Sequence, residues 1–257
     1  MDTILEVVSL RKNFGGVVAL DDLSFDVREG QIKSIIGPNG AGKTTLFNII
    51  SGVYPASSGQ VKFEGKDIAS LPPHVVAKRG ISRTFQNLKL FGNMTVLENV
   101  MVGRHCRTKV GILRAALKVP GARREEKRTV AAAMELLQFV GLADSARRGA
   151  ATLPFGKQRL VEIARALATE PKLLLLDEPA SGLNVRETEG VSQLIQRIRD
   201  TAKTVVVVEH DMSLVMGISE RVLVLDHGRR IAEGPPREVQ KHPEVLKVYL
   251  GEEIAHA

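Results

Sequence analysis

The chain has 257 residues, 44 % hydrophobic and 25 % charged, a balance ordinary for a soluble globular chain, with ample length for a buried core. The lone Cys106 excludes an internal disulfide and suits a reducing compartment; the formal charge of +7 permits nucleic acid or an anionic membrane face as a neighbour and selects neither. Residues Met1 to Glu6 have no basic n-region, so no signal peptide is expected. The longest apolar runs, Leu173 to Leu176 and Val205 to Val208, suit core strands and are too short to span a bilayer.

Along the chain, residues from about Ile4 to Val27 read as hairpin material around Gly15-Gly16. The strand-like run Gln31 to Ile36 leads into Gly37-Pro38-Asn39-Gly40-Ala41-Gly42-Lys43-Thr44, and a helix-like segment follows from Thr45 to Ile50. This is G-x-x-x-x-G-K-T in its required strand–loop–helix setting. Glycines let backbone N–H groups converge on phosphate oxygens, Lys43 reaches the β/γ-phosphates, and the Thr44 hydroxyl suits Mg²⁺. The helix end adds its positive dipole. A nucleoside triphosphate is the expected ligand. Gly80 to Phe85 reads as a strand, as do Lys172 to Leu176, Thr204 to Val208 and Arg221 to Leu225, and such short apolar runs suit a parallel sheet covered on both faces. Between them lie two amphipathic helices. One carries Val130, Ala133, Met134, Leu137 and Val140 and stops near Gly141; the other carries Leu160, Ile163, Ala164 and Leu167.

In open α/β sheets ligands sit beyond the carboxyl ends of the strands. Ile36 leads into the phosphate loop, Phe85 is followed by Gln86, Leu176 by Asp177-Glu178-Pro179, and Val208 by Glu209-His210-Asp211. An apolar run capped by Asp177 is a Walker B strand with the aspartate placed for Mg²⁺. Glu178 beside it is a candidate to hold or deprotonate an attacking water. Alone, Glu178 is equally a solvated turn carboxylate, His210 a structural histidine and Gln86 uninformative; their shared position at strand ends raises all three.

These motifs resemble the ATP-binding subunits of ABC transporters over essentially the whole length. Gly37 to Thr44 is the P-loop, Gln86 the Q-loop glutamine, and Leu153-Pro154-Phe155-Gly156-Lys157 stands where the family has its signature Leu-Ser-Gly-Gly-Gln. Leu173 to Asp177 with Glu178 is Walker B and catalytic glutamate, Ser181-Gly182-Leu183-Asn184 the D-loop, and His210 the switch histidine. Phe14, in Lys12-Asn13-Phe14-Gly15, matches the aromatic that stacks on adenine. Within the family the chain is similar to the larger of the two ATPase types of branched-chain amino acid importers, through Arg83-Thr84-Phe85-Gln86, Leu90-Phe91, Met94 to Asn99, Glu209 to Met212, Leu214 to Met216 and the ending Pro243 to Gly251. Importers of urea and short amides share much of this pattern, and the lipopolysaccharide-export ATPase shares it more loosely.

The resemblance implies one ABC domain over residues 1–257: a P-loop NTPase (RecA-like) α/β core with an N-terminal antiparallel β-subdomain over about 1–86 and 169–257, and an inserted helical subdomain over about 87–168. It implies a head-to-tail dimer with a second ATPase subunit, identical or not, each ATP lying between one subunit's P-loop, including Thr45, and the other's signature. It implies Mg²⁺ held by Thr44, Gln86 and Asp177, water polarised by Glu178, and γ-phosphate sensed by His210. Two membrane permease subunits, a periplasmic solute-binding protein and a peripheral place on the cytoplasmic membrane face follow from the same likeness, with no direct nucleic acid expected.

The chain departs from the family at Pro154, Lys157 and Asn184. Proline is tolerated in the first turn of a helix, so N–H groups from Phe155 to Gln158 are expected to remain for a phosphate across the dimer. The basic stretch Arg104 to Arg128 suits a solvated face, anionic lipid or permease loops, or a nucleic-acid groove, the last without the aromatic interleaving that single strands favour. Two other classes compete with a transporter motor: a soluble ABC-type ATPase of nucleic-acid or ribosome metabolism, and a nucleotide-gated binding protein that scarcely hydrolyses ATP. The first typically carries two cassettes or a long coiled coil, for which this chain has no room; Glu178 and His210 count against the second, while Pro154 and Asn184 leave it open.

Overall fold

The computed structural model describes residues 2–106 and 120–248. The chain opens with the expected hairpin, β1 (Thr3–Phe14) and β2 (Val17–Arg28); Phe14 pairs with Val17 across the two glycines, and Gly15 takes φ +56°. β3 (Ile32–Ile36) runs through the phosphate loop into α1 (Lys43–Ile50), and β4 (Ser58–Phe63) with the two-residue β5 (Lys66–Asp67) returns to the hairpin. α2 (Pro73–Arg79) leads into β6 (Ile81–Arg83). Then come α3 (Val96–Gly103), α4 (Pro120–Phe139) and α5 (Phe155–Leu167). Alternation resumes with β7 (Leu173–Asp177), α6 (Val185–Asp200), β8 (Thr204–Val208), α7 (Met212–Ile218) and β9 (Arg221–Asp226), and continues into β10 (Arg229–Gly234) and the short α8 (Pro236–Val239).

The strands form two sheets. An antiparallel one runs in the order β2-β1-β4-β5, and a six-stranded one in the order β10-β9-β3-β8-β7-β6, parallel except for β10. Every residue of β3, β7 and β8 is buried, because both faces of the large sheet are covered. Leu173, Leu175, Val206 and Val208 face a core shared with α1 and the antiparallel sheet. Leu174, Leu176, Val205 and Val207 face the opposite core with Val161, Ile163 and Leu167 of α5 and Leu194, Ile195 and Ile198 of α6. The period-two alternation of each strand thus joins the two cores through one sheet.

Helix ends follow local chemistry. Thr95 with Glu98, and Asn184 with Glu187, form reciprocal capping boxes on α3 and α6, and the Asp211 carboxylate accepts from Leu214 N–H at the start of α7. The expected amphipathic helices are α4 and α5; Ala133, Leu137 and Val140 are buried, and the chain turns at Gly141 with φ +75°.

The strand expected over Gly80 to Phe85 is shorter. Gly80 closes α2 in the left-handed region with φ +109°, and pairing to β7 ends at Arg83. Thr84 makes one more backbone bond, N–H to Leu175 O at 2.9 Å, and its hydroxyl accepts from Asp177 N–H at 3.2 Å. Phe85 is already beyond the sheet. Of the basic stretch, residues 107–119 lie outside the described residues, as do residues 249–257, which include the last part of the Pro243 to Gly251 motif; Arg104 pairs with Glu170 at 2.9 Å.

Candidate functional site

The phosphate loop is built around conformations closed to side chains. Gly37 takes φ +147°, and a Cβ there would lie 2.0 Å from Leu225 O; Gly42 takes φ +100°, and a Cβ would lie 2.6 Å from Ala19 O. The loop therefore seats against β9 and the hairpin only with glycine at both places. Lys43 begins α1, buried, its Nζ donating to Gly37 O at 2.5 Å and Pro38 O at 2.8 Å. The amine thus lies inside the loop, on the carbonyls of its first two residues. Thr44 and Thr45 follow in the first turn of α1, where backbone N–H groups have no acceptor within the helix.

Three candidate site side chains meet beyond the ends of β7 and β8. Glu178 Oε2 accepts from Gln86 Nε2 at 3.0 Å, and its Oε1 lies 3.1 Å from His210 Nε2. Glu178 itself sits in the left-handed region with φ +48°, and its N–H donates to Val208 O at 2.9 Å, continuing the β7–β8 pairing past the strand. Holding a non-glycine residue there stores backbone strain of about 1–3 kcal/mol, and aims the carboxylate between Gln86 and His210. The expected convergence of Gln86, Glu178 and His210 is thus realised in space, although Gln86 reaches it from a turn rather than from a strand end.

Asp177, 2 % exposed, is the last residue of β7. Its Oδ2 pairs with Arg83 Nη2 at 2.6 Å, and Arg83 Nη1 also reaches Asn48 Oδ1 at 2.7 Å and Ser51 Oγ at 3.2 Å on and beside α1. Glu209 is equally buried; it accepts from Ala180 N–H at 2.7 Å and His210 N–H at 2.9 Å, tying the turn after β7 to the turn after β8. Burial pushes the Glu209 carboxyl above its ordinary 4.5, against the pull of those N–H groups. Arg83 and Glu209 stood in quoted motifs, but nothing in their spacing marked them as buried supports; their partners are set by the fold.

Phe14 lies apart from this cluster at the tip of the hairpin, 42 % exposed, edge-on to Tyr54 at 5.4 Å, with Lys12 Nζ 4.9 Å from its ring centre. An exposed ring so held is available as a platform rather than as core filling. Tyr54 was not singled out from sequence.

The signature segment Leu153 to Lys157 opens α5. Pro154 is the N-cap rather than a first-turn residue, and its carbonyl accepts from Gln158 N–H at 3.0 Å. The free N–H groups of the first turn are therefore those of Phe155, Gly156 and Lys157, one fewer than expected. Gly156 packs against α6, where a Cβ would meet Glu187 Oε1 at 2.5 Å, and the Phe155 ring covers Gly182 of the Ser181-Gly182-Leu183-Asn184 turn. Asn184 caps α6, accepting from Glu187 N–H at 3.0 Å. The signature and D-loop thus form one surface, with Phe155 and Val185 exposed on it. Among the described residues there is no cluster of three or more His, Cys, Asp or Glu side chains to cage a metal. One carboxylate, a threonine hydroxyl and an amide carbonyl form the sparse, hard-oxygen donor set that Mg²⁺ takes together with water and phosphate, so the residues fit that ion.

A glycine-lined phosphate loop between β3 and α1, with Asp177 ending the parallel Walker B strand β7 on the far side of β8 and Glu178 following it, defines a P-loop nucleoside triphosphatase. The family model described as "ABC transporter" matches residues 20–181, and that described as "Branched-chain amino acid ATP-binding cassette transporter" matches residues 229–255. The high-affinity branched-chain amino acid transport ATP-binding protein BraF of Pseudomonas aeruginosa is 44 % identical over 97 % of this chain and 98 % of its own. The ADP conformation of MJ1267, an ATP-binding cassette of an ABC transporter, superposes with a TM-score of 0.86 at 34 % identity, covering 98 % of this chain and 100 % of that one. The dimeric post-hydrolysis state of the cassette MJ0796 bound to ADP and Pi gives 0.77 at 28 % identity, over 91 % and 99 %. The chain belongs to the ABC transporter family, as an ATPase of its branched-chain amino acid cassette group.

Proposed function

We propose that this ATPase drives import of branched-chain amino acids through separate permease subunits, from the cytoplasmic face of the membrane. Near full-length likeness to a branched-chain amino acid transport subunit supports the cargo. Among the described residues no helix is long and apolar enough to cross a membrane, which accords with a permeation path in other chains. The helical arm over about 87–168 and the core over about 1–86 and 169–257 act as two lobes, and two cassettes close head to tail on ATP, as the dimer of a 28 % identical relative suggests.

The observation that carries the catalytic reading is the Glu178 carboxylate held between Gln86 and His210. Phe14 stacks on the base, the loop N–H groups and Lys43 hold the phosphates, and Glu178 orients a water and takes its proton as the water oxygen attacks the γ-phosphorus and the bond from that phosphorus to the β–γ bridging oxygen breaks, leaving ADP and phosphate. His210 Nε2, in reach of Glu178, senses the γ-phosphate. Thr44, Asp177 and Gln86 would hold Mg²⁺: Arg83 takes Oδ2 of Asp177, leaving Oδ1 as a donor, and the Gln86 amide nitrogen faces Glu178, leaving its carbonyl oxygen. The ion, when bound, neutralises charge on the phosphate oxygens. Across the dimer, the first turn of α5 meets the partner's nucleotide through the N–H groups of Phe155, Gly156 and Lys157 and the Lys157 charge.

Glu178→Gln keeps the side-chain volume and leaves Asp177 intact, so it is expected to abolish turnover while preserving ATP binding and trapping a closed dimer. Near-normal hydrolysis removes Glu178 from the role. Uptake of labelled leucine, isoleucine and valine against urea in cells lacking the chain, with and without its return, tests the cargo; urea uptake alone depending on it overturns the branched-chain reading.

A further inference from the structure

Where α5 meets the turn that carries Gln86 there is a buried ionic knot that the catalytic reading leaves unused. Arg159 Nη1 donates to Phe85 O at 2.9 Å and to Glu162 Oε2 at 3.2 Å, and Nη2 donates to Gln86 O at 2.6 Å. Glu162 Oε1 accepts from Phe85 N–H at 3.4 Å and lies 3.8 Å from Arg165 Nη2; Arg165 Nη1 donates to Lys89 O at 2.6 Å. The side chains of Arg159 and Glu162 are 4 % and 2 % exposed. Three side chains of one helix thus grip the backbone of residues 85, 86 and 89.

This arrangement is poorly explained as packing. An ion pair of such burial contributes little net stability compared with apolar side chains of the same size. Burial drives the Glu162 carboxyl upward from 4.5, against the Phe85 N–H and the two arginines. Arg159 Nε is buried without a hydrogen-bond partner, so the guanidinium forgoes one bond to place its other two nitrogens on successive carbonyls. What it fixes is the backbone at Gln86, whose side chain reaches Glu178 at 3.0 Å. The same guanidinium lies 5.5 Å from the ring of Phe155, in the exposed first turn of α5. One buried cation therefore spans from the signature end of the helix to the turn that serves the catalytic carboxylate.

We propose that Arg159 is a positioning residue for ATP hydrolysis: oriented by Glu162, it sets the Gln86 backbone so that the Gln86 side chain meets Glu178, and it makes movement of α5 move Gln86. This rests on the reading of Gln86 as part of the hydrolytic site. A small misplacement of a catalytic group lowers kcat by up to about 100-fold, so Arg159→Met in the assembled transporter is expected to lower kcat about 10- to 100-fold while KM for ATP stays within about twofold. Arg159→Lys, which cannot bridge two carbonyls in a planar fork, recovers part of the loss. In a Gln86→Ala background, Arg159→Met should add less than about a further twofold, because its effect runs through Gln86. A second readout needs no turnover: in the full-length chain, Arg159→Met should speed amide exchange at residues 85–89 and leave α1 unchanged. A multiplicative loss in the Gln86→Ala background, a change in KM alone, or unaltered exchange at 85–89 overturns the proposal. Gln86→Ala with normal kcat refutes the reading of Gln86, and exchange at 85–89 still decides whether Arg159 pins the turn.

Discussion

Arg83→Met is expected to destabilise the chain far more than an ordinary substitution on a half-exposed strand. The guanidinium lies 2.6 Å from Asp177, the two side chains are 6 % and 2 % exposed, and two further bonds run to Asn48 and Ser51. Methionine keeps the stem against the rings of Phe47 and Phe85, whose centres lie 5.5 and 5.3 Å from the guanidinium carbon, so what is lost is charge. Removing one member of a buried pair leaves the other uncompensated and costs about 3–5 kcal/mol; the ring–cation share is the smaller part, about 0.5–2 kcal/mol. Asp177→Asn leaves Arg83 with Asn48, Ser51 and an amide oxygen, and should cost less, about 1–3 kcal/mol. Combining the two leaves no unpaired charge, so the double variant should lose clearly less than the sum. Urea unfolding of the full-length chain reads all three, with the slope checked for constancy. Addition of Mg²⁺ and ATP should restore more stability to Arg83→Met than to the unaltered chain, because the ion proposed to bind at Asp177 would supply the cation it lacks. A loss below about 1 kcal/mol, or additive losses in the double variant, would refute the argument that Arg83 is the resident counter-ion of Asp177.

Phe14→Ala should weaken ATP and GTP by the same factor, about 1–3 kcal/mol as for bases stacked on aromatics elsewhere, with little change in melting temperature since the ring is exposed; unchanged affinity in a fluorescent-nucleotide titration counts against the platform. Asn184→Ala should cost about 1 kcal/mol of thermal stability by uncapping α6, and Asn184→Asp almost nothing; equal losses in the two would show that the cap is not what Asn184 supplies. The raised Glu209 carboxyl predicts a pH effect of definite sign. The folded chain holds this proton where the unfolded chain has released it, so the contribution to stability falls as pH rises from about 4.5 through the folded value. Glu209→Gln should flatten that part of a melting-temperature profile against pH, and an unchanged slope rules the effect out.

What was legible in the sequence was what short stretches of backbone dictate. The phosphate loop is such a case: Gly37 and Gly42 are required by positive φ and by the approach of Leu225 O and Ala19 O, so the pattern and the geometry are one constraint. The hairpin at Gly15-Gly16 and the buried faces of α4 and α5 follow likewise from turn chemistry and period. The supporting charges were not legible. Arg83 finds Asp177 at a separation of 94 residues, and Arg159 finds Gln86 at 73; a charged residue in a chain reveals neither burial nor partner. The strand expected through Phe85 failed for a related reason. Its composition suits a strand, but the next donor of β7, Asp177 N–H, is taken by the Thr84 hydroxyl rather than by backbone, and the chain turns to meet Arg159 and Glu162 instead.

The departures at Pro154 and Asn184 are explained by the same geometry. Both residues are N-caps, of α5 and α6, and each cap needs a residue with extended backbone whose carbonyl begins the helix. Proline takes that conformation at φ −54° and ψ 150°, and its missing N–H belongs to no helical bond, so the helix end survives the loss of a serine hydroxyl. Asparagine supplies the same side-chain oxygen as aspartate and removes one negative charge. The charge loss at Asn184 and the charge gained at Lys157 have the same sign. Together they make this face more positive, and it is the face on which the partner's phosphates are proposed to lie. The dipole of α5 and three unpaired N–H groups already point there. Under the proposed head-to-tail dimer, the chain would exchange one directed hydrogen bond for a broader positive field on a helix end that it keeps intact.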